Sequence, residues 1–299
     1  MAISEGQRRR RGSRLRVIAL AIVVLAALAA AAIVATASNH SGAVGAATKR
    51  TGSLEIGGRR AGESRAAARR RLQKENAAIN AVLRYTPFLA NGVPRRRMIA
   101  LTFDDGPSPY TPQIIRILLR MHVPATFFIV GQQLPVFPNA LLDAVRHSFT
   151  IGDHTQNHAS LPRLGAGGQF GQINAAALGA QRLGAPYPRL FRPPYGMYNQ
   201  QTVATLRRLK MLMVLWSIDP GDWRRPGVGP IVKNVLANAR AGAVVIMHDG
   251  GGDRSQTVTA LPQIINGLRK RHFQLVSVPL LLIGDPPPRH QRVPSLTGA

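Results

Sequence analysis

The sequence predicts an α/β fold built on a largely parallel sheet. Three observations lead there: short apolar runs of strand length, helix-patterned segments alternating with them, and polar or acidic residues placed just after several of the runs. Residues 98–103 form an apolar run that ends in acidic residues, as a buried strand does. Helical spacing follows from Thr111 through Ile114, Ile115, Ile117, Leu118 and Leu119. Residues 125–130 are a second strand and 141–145 lie in the next helix. Residues 149–151 are a short strand. Further strands are expected at 211–217, 243–247 and 274–278, with helices near 200–209, 230–240 and 259–270. Alternation of this kind puts parallel strands in one sheet with helical crossovers. Chemistry in such folds collects past the carboxyl ends of the strands.

The folded domain is expected to span 98–283. Ahead of it, residues 1–16 form a basic N-terminus with arginines crowded into 8–16. Residues 17–37 carry no charge and are apolar except for Thr36. A helix needs about 20 such residues to cross a bilayer, and arginines before the span predict a cytoplasmic N-terminus. The segment reads as a transmembrane signal anchor or as a signal peptide ending at Ala35-Thr36-Ala37; its length favours the anchor. The folded domain then lies outside the cytoplasm, tethered to the cell membrane by a single pass or secreted. Residues 38–97 are a linker, Gly/Ala/Ser-rich at first, with a basic helix over 62–84 whose plain reading is a solvated one and whose alternative is contact with lipid or a wall polymer. Residues 284–299 read as a disordered Pro-rich tail.

The 299 residues include no cysteine, which excludes disulfides, thiolate zinc sites, iron–sulfur clusters and a cysteine nucleophile. The net charge is +26, and over half of the excess lies outside 98–283. Such a chain favours anionic partners. A nucleic-acid-binding protein is disfavoured: aromatics are 5%, no nucleic-acid motif is present, and the apolar span points away from the cytoplasm.

Several groups of residues carry chemistry. Asp104 and Asp105 follow the first strand, before Gly106 and Pro107. One carboxylate can bind a cation while its neighbour stays free as a base; a polar turn capping the next helix is the plainer alternative. His154 and His158 bracket three residues, so both rings share a side if the segment turns helically. Imidazole suits zinc or a similar metal, and two histidines with one carboxylate leave a metal position open. Arg192-Pro193-Pro194-Tyr195-Gly196 is a stiffened loop able to offer an N–H to an oxyanion. The only two tryptophans, Trp216 and Trp223, sit beside Asp219 and Asp222, in a sugar site or in the core. His248 ends a buried strand, as a general acid or as a core histidine.

In this order, Thr102-Phe103-Asp104-Asp105-Gly106-Pro107, His154-Thr155-x-x-His158, Arg192-Pro193-Pro194-Tyr195-Gly196, Asp219-x-x-Asp222-Trp223 and Met247-His248 resemble the polysaccharide deacetylase family. This is the chitooligosaccharide deacetylase (NodB) homology domain of carbohydrate esterase family 4. Met247 stands where that family usually has Leu, a volume-conserving change. The resemblance implies a distorted (β/α) barrel with fewer than eight strands and a divalent metal, usually zinc. It implies that Asp105, His154 and His158 hold the metal, and that Asp104 is the general base for the attacking water. Arg192 orients Asp104, and the Tyr195 backbone N–H stabilises the oxyanion. His248 protonates the leaving amine under the influence of Asp222, and Trp223 walls the pocket. The implied activity is metal-dependent hydrolysis of N-acetyl groups on an envelope or extracellular glycan, foremost peptidoglycan, with chitooligosaccharide or acetylxylan as alternatives. A catalytically dead carbohydrate-binding relative is disfavoured, because every expected ligand, base and acid is present.

Overall fold

The computed structural model describes residues 63–291. The expectations for residues 1–62, including the apolar span 17–37, and for 292–299 lie outside the described residues. Among the described residues no helix is long and apolar enough to cross a membrane.

Eight parallel strands form one curled sheet: β1 (Phe88–Leu89), β2 (Met98–Asp104), β3 (Thr126–Ile129), β4 (Thr150–Asp153), β5 (Leu190–Phe191), β6 (Leu212–Val214), β7 (Ala243–His248) and β8 (Gln274–Val276). Seven follow the path β1-β6-β5-β4-β3-β2-β7, and β8 pairs with β2 off that path. The expectation of fewer than eight strands therefore describes the continuous path. The short eighth strand pairs with Met98–Ala100 at the start of β2, while β3 pairs with Thr102–Asp104 further along. The sheet closes on itself between β6 and β7. At the carboxyl end Ile218 bridges Val245. At the other end β1 pairs with β6 and the Gly92 N–H donates to Gly242 O at 2.8 Å.

The helices are α1 (Arg65–Leu83), α2 (Thr111–Arg120), α3 (Pro138–Arg146), α4 (Ala166–Arg182), α5 (Gln200–Leu209), α6 (Val228–Asn238), α7 (Ser255–Lys270) and α8 (Val278–Gly284). The central strand β2 is buried at every position, as a strand covered on both faces must be. Its Phe103 stacks on Phe127 of β3 at 5.2 Å between ring centroids. The α2 stripe Ile114, Ile115, Ile117 and Leu118 packs into the same core. Each such side chain contributes roughly 1.5–3 kcal/mol on burial.

Two expectations differ from the structure at the domain's edges. The basic helix forms, capped by Ser64, whose Oγ accepts from Ala67 N at 3.2 Å. It is not wholly solvated, however: Ala68, Glu75, Ile79 and Val82 are buried, and Ile79 and Val82 join a core cluster with Leu212 and Val214 of β6. With β1 in the sheet, the folded unit starts well before residue 98. The Pro-rich segment after 284 is packed as far as it is described. Asp285 is fully buried and accepts from Arg96 N. The Tyr85 hydroxyl donates to Pro287 O at 2.8 Å. Gln291 accepts from Ala90 N at 2.9 Å and donates to Phe88 O at 2.7 Å. Pro removes backbone donors but leaves carbonyls to accept, so the segment straps β1 through side chains and carbonyls.

Candidate active site

The site lies past the carboxyl ends of β2, β4, β5, β6 and β7. Register sets Asp104, the last residue of β2, beside His248, the last residue of β7. Its neighbour Asp105 has φ 73°, and Thr155, His158 and Tyr195 also have positive φ. Non-glycine residues in this region cost about 1–3 kcal/mol each and gather at functional sites. Here they turn Asp105, His158 and Tyr195 inward. The His154–His158 segment is not helical; the two left-handed residues Thr155 and His158 bring the rings to 5.0 Å between centroids instead.

Asp105 Oδ1 lies 3.5 Å from His154 Nε2 and 3.3 Å from His158 Nε2. The three ligand atoms fall within 4.8 Å of one another. The other nitrogen of each ring is engaged: His154 Nδ1 lies 2.6 Å from Arg192 O, and His158 Nδ1 lies 3.1 Å from the Tyr195 hydroxyl. Burial holds His154 neutral, its pKa lowered to about 3. With Nδ1 directed at a carbonyl, Nε2 presents a lone pair towards Asp105. Asp105 Oδ1 is buried and has no hydrogen-bond partner. A buried carboxylate oxygen facing two imidazole Nε2 atoms suits a divalent cation, so this donor set fits one.

Asp104 has a different setting. Arg192, fully buried, donates from Nη1 to Asp104 Oδ1 at 2.7 Å and to the Thr102 hydroxyl at 2.8 Å. Its remaining donors reach Val214 O and Leu215 O, and its guanidinium stacks on Phe128 at 4.2 Å. Asp104 Oδ2 is thereby left on the metal-ligand side, 3.9 Å from His154 Nε2. Burial raises the Asp104 pKa above the ordinary carboxylate value, and the Arg192 charge opposes that rise.

Opposite them, His248 Nδ1 lies 2.8 Å from Asp222 Oδ1. Asp222 Oδ2 accepts from the His248 backbone N–H at 2.8 Å and from the Thr257 hydroxyl at 2.7 Å. Burial alone would depress the His248 pKa; the hydrogen bond and charge of Asp222 overcome it and raise the pKa to about 9. Tyr195 and Trp223 stand exposed at 62% and 46%, on turns flanking the two halves of the site. The tryptophans divide: Trp216 packs against the core and beside Arg192, while Trp223 faces solvent. Asp219 is exposed and shapes its turn by accepting from Gly221 N at 2.8 Å.

Asp104, Asp105, His154, His158, Arg192 and Tyr195 thus form one connected cluster, with the His248–Asp222 pair beside Asp104 in the sheet and Trp223 directly after Asp222. Three partners had no expected role. Thr102 opens the first motif with no role expected of it, and Thr257 lies in no motif; their hydroxyls hold Arg192 and Asp222. Asp249 is buried, its pKa raised to about 7 by burial, and accepts from the Thr111 hydroxyl at 2.5 Å. Its place directly after His248 is the one signal that marked it.

The polysaccharide deacetylase family model matches residues 91–214. A chitooligosaccharide deacetylase of Bradyrhizobium sp. (strain ANU 289) is 38% identical over 199 residues, 62% of this chain and 90% of that protein. The chain belongs to the polysaccharide deacetylase family. A peptidoglycan-N-acetylglucosamine deacetylase of Bacillus cereus is likewise 38% identical, over 62% of this polysaccharide deacetylase and 88% of the relative. The solved structure of the Bc1960 peptidoglycan N-acetylglucosamine deacetylase, in complex with a hydroxamate-type benzamide, superposes with a TM-score of 0.65 at 29% identity. It covers 69% of this deacetylase and 97% of that chain.

Proposed function

We propose that this deacetylase removes N-acetyl groups from an extracytoplasmic glycan, with peptidoglycan as the first substrate, and that it does so with a zinc ion held by Asp105, His154 and His158. The observation that carries the metal is the buried, unpartnered Asp105 Oδ1 facing both imidazole Nε2 atoms. A divalent cation bound there supplies a Lewis acid that polarises a carbonyl and acidifies a water. The chain's own groups do the rest. Asp104, its Oδ1 fixed by Arg192, accepts the water's proton at Oδ2. The Tyr195 N–H faces the developing oxyanion. His248, kept protonated by Asp222, delivers a proton from Nε2 to the departing amine. Trp223 offers a flat wall to a sugar ring.

Peptidoglycan is favoured by the Bacillus cereus relative and by the uncharged segment 17–37, which we read as a membrane anchor placing the domain outside the cytoplasm. The equal identity of the chitooligosaccharide deacetylase supports acetylated chitin oligomers as a second substrate. Acetate release by the purified protein from peptidoglycan, chitin oligomers and acetylxylan, run with metal analysis, tests the reading. Peptidoglycan turnover that tracks zinc content is the expected result. Turnover of acetylxylan alone, or undiminished turnover after metal removal, would overturn it.

A further inference from the structure

Exposed cations crowd one end of this molecule. Each barrel helix runs back from the carboxyl ends of the strands, so helix C-termini and strand starts share the end opposite the active site. Cations collect there. Arg120 closes α2, Arg146 closes α3, Arg182 closes α4, and Arg207 and Arg208 close α5. Arg269 and Lys270 close α7, with Arg271 directly after. Strand entrances add Arg95, Arg96 and Arg97 before β2 and Arg240 before β7, all exposed. Of the eight carboxylates within residues 98–283, only Asp143 lies at this end; the others lie at or past the carboxyl ends of strands, where Asp104, Asp153, Asp222 and Asp249 are buried and the exposed cations Arg163, Arg224 and Arg225 also stand. Helix dipoles favour cations in last turns, and equally favour acids in first turns. None of the eight helices has an acid in its first turn, so the dipole explains only part of the pattern.

Helix α1 lies across the same end. A cavity of about 290 Å³ separates it from Thr150 and Leu190, where β4 and β5 begin, and its Asn80 accepts from Arg189 at 2.7 Å. Its outward positions are Arg65, Arg69, Arg70 and Lys74, all exposed, whereas Glu75 is buried. Beside it, Ile283 of α8 is 49% exposed and lines a groove with Arg70 and Lys74. An apolar side chain among cations on a broad basic end matches the boundary between lipid headgroups and acyl chains.

We infer that this back end, with α1 and Ile283 at its centre, docks on an anionic lipid bilayer and turns the active site away from it. The choice of lipid rests on the membrane attachment proposed for residues 17–37, which only residues 38–64 separate from α1. Docking of this kind adds orientation to tethering: the site would face the glycan rather than sweep the membrane surface.

The chain has no cysteine, so single introduced thiols report position. Full-length protein carrying Gln73→Cys on α1, or Val136→Cys on the exposed loop at the site end, is labelled with a donor fluorophore. It is then reconstituted into phosphatidylcholine vesicles, with or without phosphatidylglycerol, bearing a headgroup acceptor. With phosphatidylglycerol, the residue 73 label should transfer strongly and the residue 136 label weakly. That contrast should collapse at high salt and in the variant Arg65→Gln, Arg69→Gln, Arg70→Gln, Lys74→Gln. The variant should need on the order of a thousandfold more anionic lipid, yet release acetate from a soluble glycan at the unaltered rate. Equal transfer from both labels, or transfer indifferent to lipid charge, would overturn the docking. So would loss of the transfer contrast on adding soluble poly(glycerol phosphate) at lower phosphate concentration than the lipid supplies. Flotation with pure phosphatidylcholine vesicles reads the anchor separately. A chain that floats without charge-dependent transfer loses only the docking; one that shows the transfer but fails to float loses only the anchor.

Discussion

Asp104 and Asp105 are adjacent in sequence, yet their carboxylates do different work because the backbone changes hand between them. Asp104 ends a strand and is clamped by Arg192; Asp105, at φ 73°, swings to the two histidines. Asp104→Asn should therefore keep its metal and lose roughly 10²–10⁴-fold in turnover, the usual contribution of a general base. Asp105→Asn should lose metal and turnover together. Metal content and acetate release, measured on both variants, check the division. His248 leads to a pH prediction. Its folded pKa of about 9 lies above the ordinary value, so the acid form persists through neutrality and disappears as the pH rises through that value. Asp222→Asn removes the charge that raises it, and the descending limb of the rate profile should move to lower pH. A limb that stays in place would break the Asp222–His248 link. These residues were legible in the sequence because metal and proton chemistry demands carboxylates and imidazoles where buried strands would otherwise continue apolar. Thr102, Thr257 and the Asp249 contact were not legible. A hydroxyl acquires its role from a partner that only the tertiary fold supplies.

At the scale of elements, legibility followed the length and strength of the apolar pattern. The buried runs of β2, β3 and β7 stand out, and α2 and α5 carry clear stripes. β1 and β5 are two residues each, too short for any period to show. α4 is rich in Gly and Ala, and its buried face of Ile173, Ala176, Ala177 and Ala180 is too small-sided to mark a stripe. The segment after 284 misled through its prolines. Its attachment is specific: Gln291 satisfies both Ala90 N and Phe88 O. Gln291→Ala should leave Ala90 N without a protein partner and Phe88 O with the Thr86 hydroxyl alone, at a cost of about 1–3 kcal/mol, seen as a lower midpoint in denaturant unfolding with turnover retained in the folded fraction. Gly152 makes a sharper demand. A Cβ there would lie 2.4 Å from a ring carbon of Phe128, the ring on which Arg192 stacks. Gly152→Ala should displace that ring and reduce turnover more than metal content; equal loss of both would place the damage at His154 instead.

Across the described residues, the catalytic end and the basic end face opposite ways, and α1, which the proposed anchor precedes in sequence, lies at the basic one. The intact chain should fractionate with membranes, and a chain lacking residues 1–37 should be soluble; mature protein beginning at Ser38 in the medium would mark a cleaved leader. The seam between β6 and β7 has a further consequence, in the order of synthesis. Its lower half is filled by β1, from the domain's beginning, and β1 is strapped by Gln291, more than 200 positions later. β2 likewise awaits β7 and β8 for its flanks. Such a chain cannot complete its wall while its last segment is still within the ribosome, whatever has already collapsed upstream. Its native contacts are deferred by topology, so a nascent chain stays unfinished until Gln291 has emerged.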